Sequence, residues 1–124
     1  MTDHKKIMVV DDDNDIIDSI TMILESDGYE VITADCGERC LELMKFDRPD
    51  LIILDVMMET ITEGFSISCE LKNNPDFQGI PIIMISSIEN HTGFRVDKDF
   101  VKVNEFLEKP LHPGVLLKTI ENLL

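Results

Sequence analysis

No apolar run in this chain of 124 residues is longer than four residues. A helix needs about 20 consecutive apolar residues to cross a membrane, so such a span is excluded. The first residues, MTDHKKIMVVDDD, include lysines but no apolar core of signal-peptide length, which implies a cytoplasmic protein. Cysteine is sparse as well. Three cysteines, an odd count without an export signal, fit a reducing compartment better than a disulfide framework. No repeat, low-complexity tract or Pro/Gly/Ser-rich linker divides the sequence, so residues 1–124 are expected to form one domain. A chain of this length buries roughly 68–70% of its unfolded surface and needs no disulfide or structural metal to fold. Bases are scarce too: 11 Lys and Arg stand against 25 Asp and Glu, a net charge of −14. That balance argues against nucleic acid or an anionic membrane surface as a direct ligand.

The acidity is uneven. Residues 1–62 carry sixteen acids and five bases (net −11), and residues 63–124 carry nine and six (net −3). Five acids fall within eight residues: Asp11, Asp12, Asp13, Asp15 and Asp18.

Short apolar runs alternate with helical periodicity. Ile7–Val10, Val31–Ala34, Leu51–Leu54, Ile80–Ile85 and Phe106–Leu107 read as strands, with Pro81 tolerated near a strand start. Between them, Ile16, Ile17, Ile20, Ile23 and Leu24 recur at helical spacing, with Asp13 or Asn14 as N-cap and Gly28 as stop. Further helices are expected around Cys40–Met44, over Phe65–Leu71, and from Pro113 through Leu123. Residues 89–103 give no clear pattern. Strands alternating with helices imply βαβ units and a parallel sheet covered on both faces. The expected architecture is a three-layer α/β sandwich, flavodoxin-like, with five parallel strands in the order 2-1-3-4-5.

In such a sheet the ligand crevice lies beyond the carboxyl ends of the strands. The first strand ends in Asp11 and Asp12, the third in Asp55, the fourth in Ser86 and Ser87, and the fifth in Lys109 and Pro110. Three carboxylates, a hydroxyl and an ammonium group thus meet at one mouth. Two carboxylates ~4 Å apart repel by about 1 kcal/mol in water and about 4 kcal/mol at an effective dielectric of 20. A cation is therefore needed, and Mg²⁺ suits a few oxygen ligands with room for water and phosphate oxygens. Lys109 and Ser86 would meet a further anionic group, and an aspartate is an able phosphoryl nucleophile.

Four segments, IMVVDDDNDI at 7–16, DLIILDVMM at 50–58, IPIIMISS at 80–87 and FLEKPL at 106–111, occur in this order. Through them the whole chain resembles the receiver domain of bacterial two-component response regulators. The resemblance implies that Asp55 is the phosphoacceptor. It makes Asp11 and Asp12 the acidic pair for Mg²⁺ (Mn²⁺ as substitute), with Asp12 favoured as direct ligand and Met57 giving its backbone carbonyl. It assigns Lys109 and Ser86 to the phosphoryl group, Ser86 and Phe106 to the switch, and a cis bond to Lys109–Pro110. It implies a histidine kinase or phosphotransfer protein as donor, a downstream protein bound through the 88–124 face, and a monomer or weak dimer. No output domain and no enzymatic activity beyond self-phosphorylation and dephosphorylation are expected of residues 1–124.

Two stretches depart from that pattern. Glu59 stands where the family has proline, and Gly64 lies one residue late, so the 59–64 loop is longer and more acidic. Over residues 89–104 a glycine comes early and the usual Gly-Ala-Asp-Asp-like approach is missing, which implies a short or mobile helix there and puts dimerisation by the common route in doubt. Met57 and Ile88 are both apolar, which implies slow autodephosphorylation. Two rival readings stay open: a receiver-like interaction module that works without phosphorylation, and a small aspartate-based phosphatase with its nucleophile at Asp11. A calcium loop is not one of them, because Ile16 and Met22 occupy its glycine and glutamate positions. Asp13, Asp15 and Asp18 read as a solvated helix start. Cys36 and Cys40 lack further zinc ligands, and His4, His91 and His112 read as exposed polar residues.

Overall fold

The computed structural model describes residues 5–55, 70–87, 105–109 and 111–124, with only the backbone at 86, 87, 106, 108 and 109. Five parallel strands form one sheet: β1 (Lys6–Val10), β2 (Glu30–Ala34), β3 (Leu51–Asp55), β4 (Ile82–Ser87) and β5 (Glu105–Lys109). Their order is β2-β1-β3-β4-β5, as the alternation predicts. Val10 lies opposite Ala34 on one side and Leu54 on the other, and Asp55 lies opposite Ile85.

The unbroken apolar runs have a direct cause: the central strands are covered on both faces. Every residue of β3 is buried, and Ile7 to Val10 have no exposed surface. Odd and even positions go to different layers. Ile7, Val9, Leu51, Ile53, Ile83 and Ile85 pack with α1 (Asn14–Ser26) and α3 (Pro113–Leu123). Met8, Val10, Ile52, Leu54, Ile82 and Met84 pack with α2 (Gly37–Phe46) and with Leu71, in the helical stretch 70–73. α1 contributes Ile17, Ile20 and Leu24, each stabilising by roughly 1.5–3 kcal/mol through burial.

The ends of α1 match their sequence signals. Asp13 is the N-cap, its carboxylate accepting the Asp15 N–H. At the other end Gly28 takes φ +89°, which an L side chain resists. Gly28 N–H then donates to Glu25 O, and Tyr29 N–H to Leu24 O, both at 3.1 Å. This paired C-terminal closure satisfies two carbonyls that the helix leaves open.

Strand limits differ from the sequence reading by one residue in β1, β2 and β3, and by up to two in β4 and β5. β4 starts at Ile82 rather than Ile80, because Pro81 has no N–H for the ladder, although its carbonyl still accepts from Ile52 N at 3.0 Å. β5 extends over Glu105–Lys109, beyond its apolar pair Phe106–Leu107, because main-chain pairing to β4 continues where side chains turn polar.

Candidate functional site

The carboxyl ends of β1 and β3 put three acids together. Carboxylate oxygens of Asp11, Asp12 and Asp55 lie within 4.8 Å of one another. Asp11 is 0% exposed and Asp55 3%, while Asp12 is exposed. Among the described residues this is the one group of acids, cysteines or histidines close enough to hold a metal ion. Its donor set is hard oxygen with one solvent-facing member, which fits a divalent cation such as Mg²⁺ that retains water.

Backbone geometry fixes these acids. Asp11 N–H donates to Ala34 O at 3.1 Å, extending the β1–β2 ladder one residue past the strand. The Asp11 carboxylate accepts the Asp13 N–H at 2.9 Å through Oδ1, and Asp13 Oδ1 accepts the Asp15 N–H at 2.9 Å. α1 therefore begins directly beside the cluster, and its N-terminal dipole favours negative charge there. Asp13, Asp15 and Asp18 are exposed, in keeping with a solvated helix start.

The remaining site positions gather at the same sheet edge as far as the backbone reports them. Ser86 pairs with Glu108 and Ser87 with Lys109, one and two residues beyond the Asp55–Ile85 pair. The Ser86, Phe106 and Lys109 side chains lie outside the described residues, as do Met57, Ile88 and Pro110, and with it the Lys109–Pro110 bond. The segments 59–64 and 89–104 lie outside them too.

The sequence reading did not find the second role of Asp13. Aspartates at 11, 13 and 15 ahead of an apolar helix are the signal, since an Asp carboxylate readily accepts the N–H two residues on. It also missed the charge cluster at the opposite sheet edge. There Lys6 Nζ bonds Asp47, and Asp50 Oδ2 accepts the Lys6 N–H at 2.8 Å. The hydrogen bond that Lys6 Nζ donates to Asp47 is the main cause that raises the Lys6 pKa above its ordinary 10.5. Cys40 is buried in the α2 layer, and burial pushes its thiol up to about 12.

The model for the response regulator receiver domain matches residues 7–121. The chain is 36% identical over 124 residues to a probable transcriptional regulator, ycf27, of Cyanophora paradoxa, covering 95% of this chain and 50% of that one. It is 33% identical over 117 residues to the alkaline phosphatase synthesis transcriptional regulatory protein PhoP of Bacillus subtilis, covering 89% and 44%. The chain thus spans about half the length of these curated relatives. Among solved structures, the chemotaxis response regulator CheY4 of Vibrio cholerae superposes with a TM-score of 0.85 at 31% identity, over 98% of this chain and all of that one. No helix among the described residues is long and apolar enough to cross a membrane.

Proposed function

The chain belongs to the response regulator receiver domain family, and from that premise we propose that Asp55 accepts a phosphoryl group and switches a protein-binding face. The donor is a histidine kinase or phosphotransfer protein holding the group on a histidine. The observation that carries this reading is the convergence of Asp11, Asp12 and Asp55 within 4.8 Å, two of them buried.

Asp11, Asp12 and Asp55, with the Met57 carbonyl, would hold Mg²⁺, which when bound neutralises charge on the carboxylates and the phosphoryl oxygens. A carboxylate oxygen of Asp55 attacks phosphorus. The P–N bond to the donor imidazole breaks, its electron pair stays on that nitrogen, and the imidazole takes up a proton. Burial of Asp55 restricts water at the acyl phosphate. Lys109 contributes a point charge and Ser86 a hydroxyl to the new group, which adds about −1.5 to −2 charge. Movement of Ser86 frees space for Phe106, and the 88–124 face changes for a downstream protein.

Amide spectra of the free and beryllofluoride-loaded chain test the switch. Shifts are expected at Ser86, at Phe106 and in α3. Shifts confined to the neighbours of Asp55 would refute it and favour an interaction module insensitive to phosphorylation. Stable labelling at Asp11 instead of Asp55 after acetyl phosphate treatment would favour the phosphatase reading.

A further inference from the structure

The geometry points to Asp13 as a positioning residue that sets the orientation of the buried Asp11 carboxylate for the metal; this rests on the metal reading given above. A continuous set of hydrogen bonds runs from the core to that carboxylate. Ile17, Ile20 and Leu24 seat α1 on the sheet. Asp13 is fixed to α1 twice: its carbonyl accepts the Ile17 N–H at 3.0 Å, and its carboxylate accepts the Asp15 N–H at 2.9 Å. Held there, Asp13 donates its own N–H to Asp11 Oδ1 at 2.9 Å. The Asp11 backbone is fixed separately, by Ala34 O at 3.1 Å.

The two contacts do different work. Ala34 fixes where Asp11 sits, and the Asp13 N–H fixes how its carboxylate is turned. The Asp11 carboxylate has no solvent exposure, and an N–H bonded to a charged acceptor is about twice as strong as a neutral pair. Removing the Asp13 carboxylate loosens the first turn of α1 and with it the donor aimed at Asp11. The role is that of the outer partners that orient metal ligands, whose loss typically weakens metal binding 10–100-fold.

Mg²⁺ titration calorimetry on the full chain tests this, with wild type, Asp13→Asn, Asp13→Ser and Asp13→Ala. All three variants lose the same charge, but Asn and Ser keep a capping acceptor and Ala does not. Comparison among the three therefore cancels the electrostatic loss. The Ala variant is expected to bind Mg²⁺ roughly tenfold more weakly than the Asn and Ser variants. A second readout needs no metal: hydrogen exchange of the residue 13 amide stays slow in the Asn and Ser variants and becomes fast in Ala. Equal Mg²⁺ affinity, or equal protection, in all three variants overturns the role of Asp13 alone. A wild-type chain that binds no Mg²⁺ overturns the metal reading beneath it.

Discussion

Asp11 and Asp55, at the carboxyl ends of adjacent strands, hold carboxylate oxygens within 4.8 Å of each other with almost no solvent exposure. Such a pair is costly without a compensating cation, and the nearby Asp12 adds a third charge. Asp12→Asn therefore raises the melting temperature of the metal-free chain, by about 3 °C for a relief on the order of 1 kcal/mol. If the cluster holds Mg²⁺ as proposed, the same substitution is expected to remove the stabilisation the metal would give wild type, about 2.7 kcal/mol at 100 times the dissociation constant. Melting curves with Mg²⁺ and with a chelator measure both effects. An Asp12→Asn chain that melts lower without metal, or that still gains from Mg²⁺, contradicts this account.

Gly28 offers a prediction about the fold alone. Its φ of +89° closes α1, and a Cβ there would meet nothing within 4 Å. The cost of Gly28→Ala is therefore backbone strain without a clash, about 1–2 kcal/mol. Chemical denaturation should show that loss with an unchanged m-value. A loss above about 3 kcal/mol would mean the closure holds more than the chain direction.

These two sites differ in how far the sequence reveals them. Gly28, Asp13 and the five strands are legible because each reflects a local rule: a positive φ, an N-cap, or an apolar run buried on both faces. The Asp11, Asp12 and Asp55 cluster is legible through topology, since parallel strand ends share one edge. Which of Asp11 and Asp12 is buried is not legible, because adjacent residues just past a strand have no fixed side. The ends of β4 and β5 were blurred for a related reason: main-chain pairing ignores whether Ser87 or Glu105 is polar. The tie from Lys6 to Asp47 and Asp50 joins residues distant in sequence and leaves no periodic signal.

Cys40 makes stability fall in alkali. In the unfolded chain its thiol ionises near the ordinary 9.0, while burial raises it to about 12 in the fold. Below pH 9 both states hold the proton, so the contribution is fully present. Between pH 9 and about 12 only the unfolded chain releases it, and folding loses on the order of 3–4 kcal/mol. Stability of wild type minus that of Cys40→Ala, followed over this window, isolates the effect of the thiol, and a difference independent of pH would contradict it. In native buffer at neutral pH, the half-buried Cys36 should alkylate well before Cys40.

The phosphoacceptor claim meets its most direct test in intact-mass measurement after acetyl phosphate treatment. Wild type with Mg²⁺ should gain one phosphoryl group, mapped to Asp55, and should gain none with a chelator. Asp55→Asn should gain none under either condition. A phosphoryl group on the Asp55→Asn chain, or equal labelling of wild type with and without Mg²⁺, would contradict the assignment.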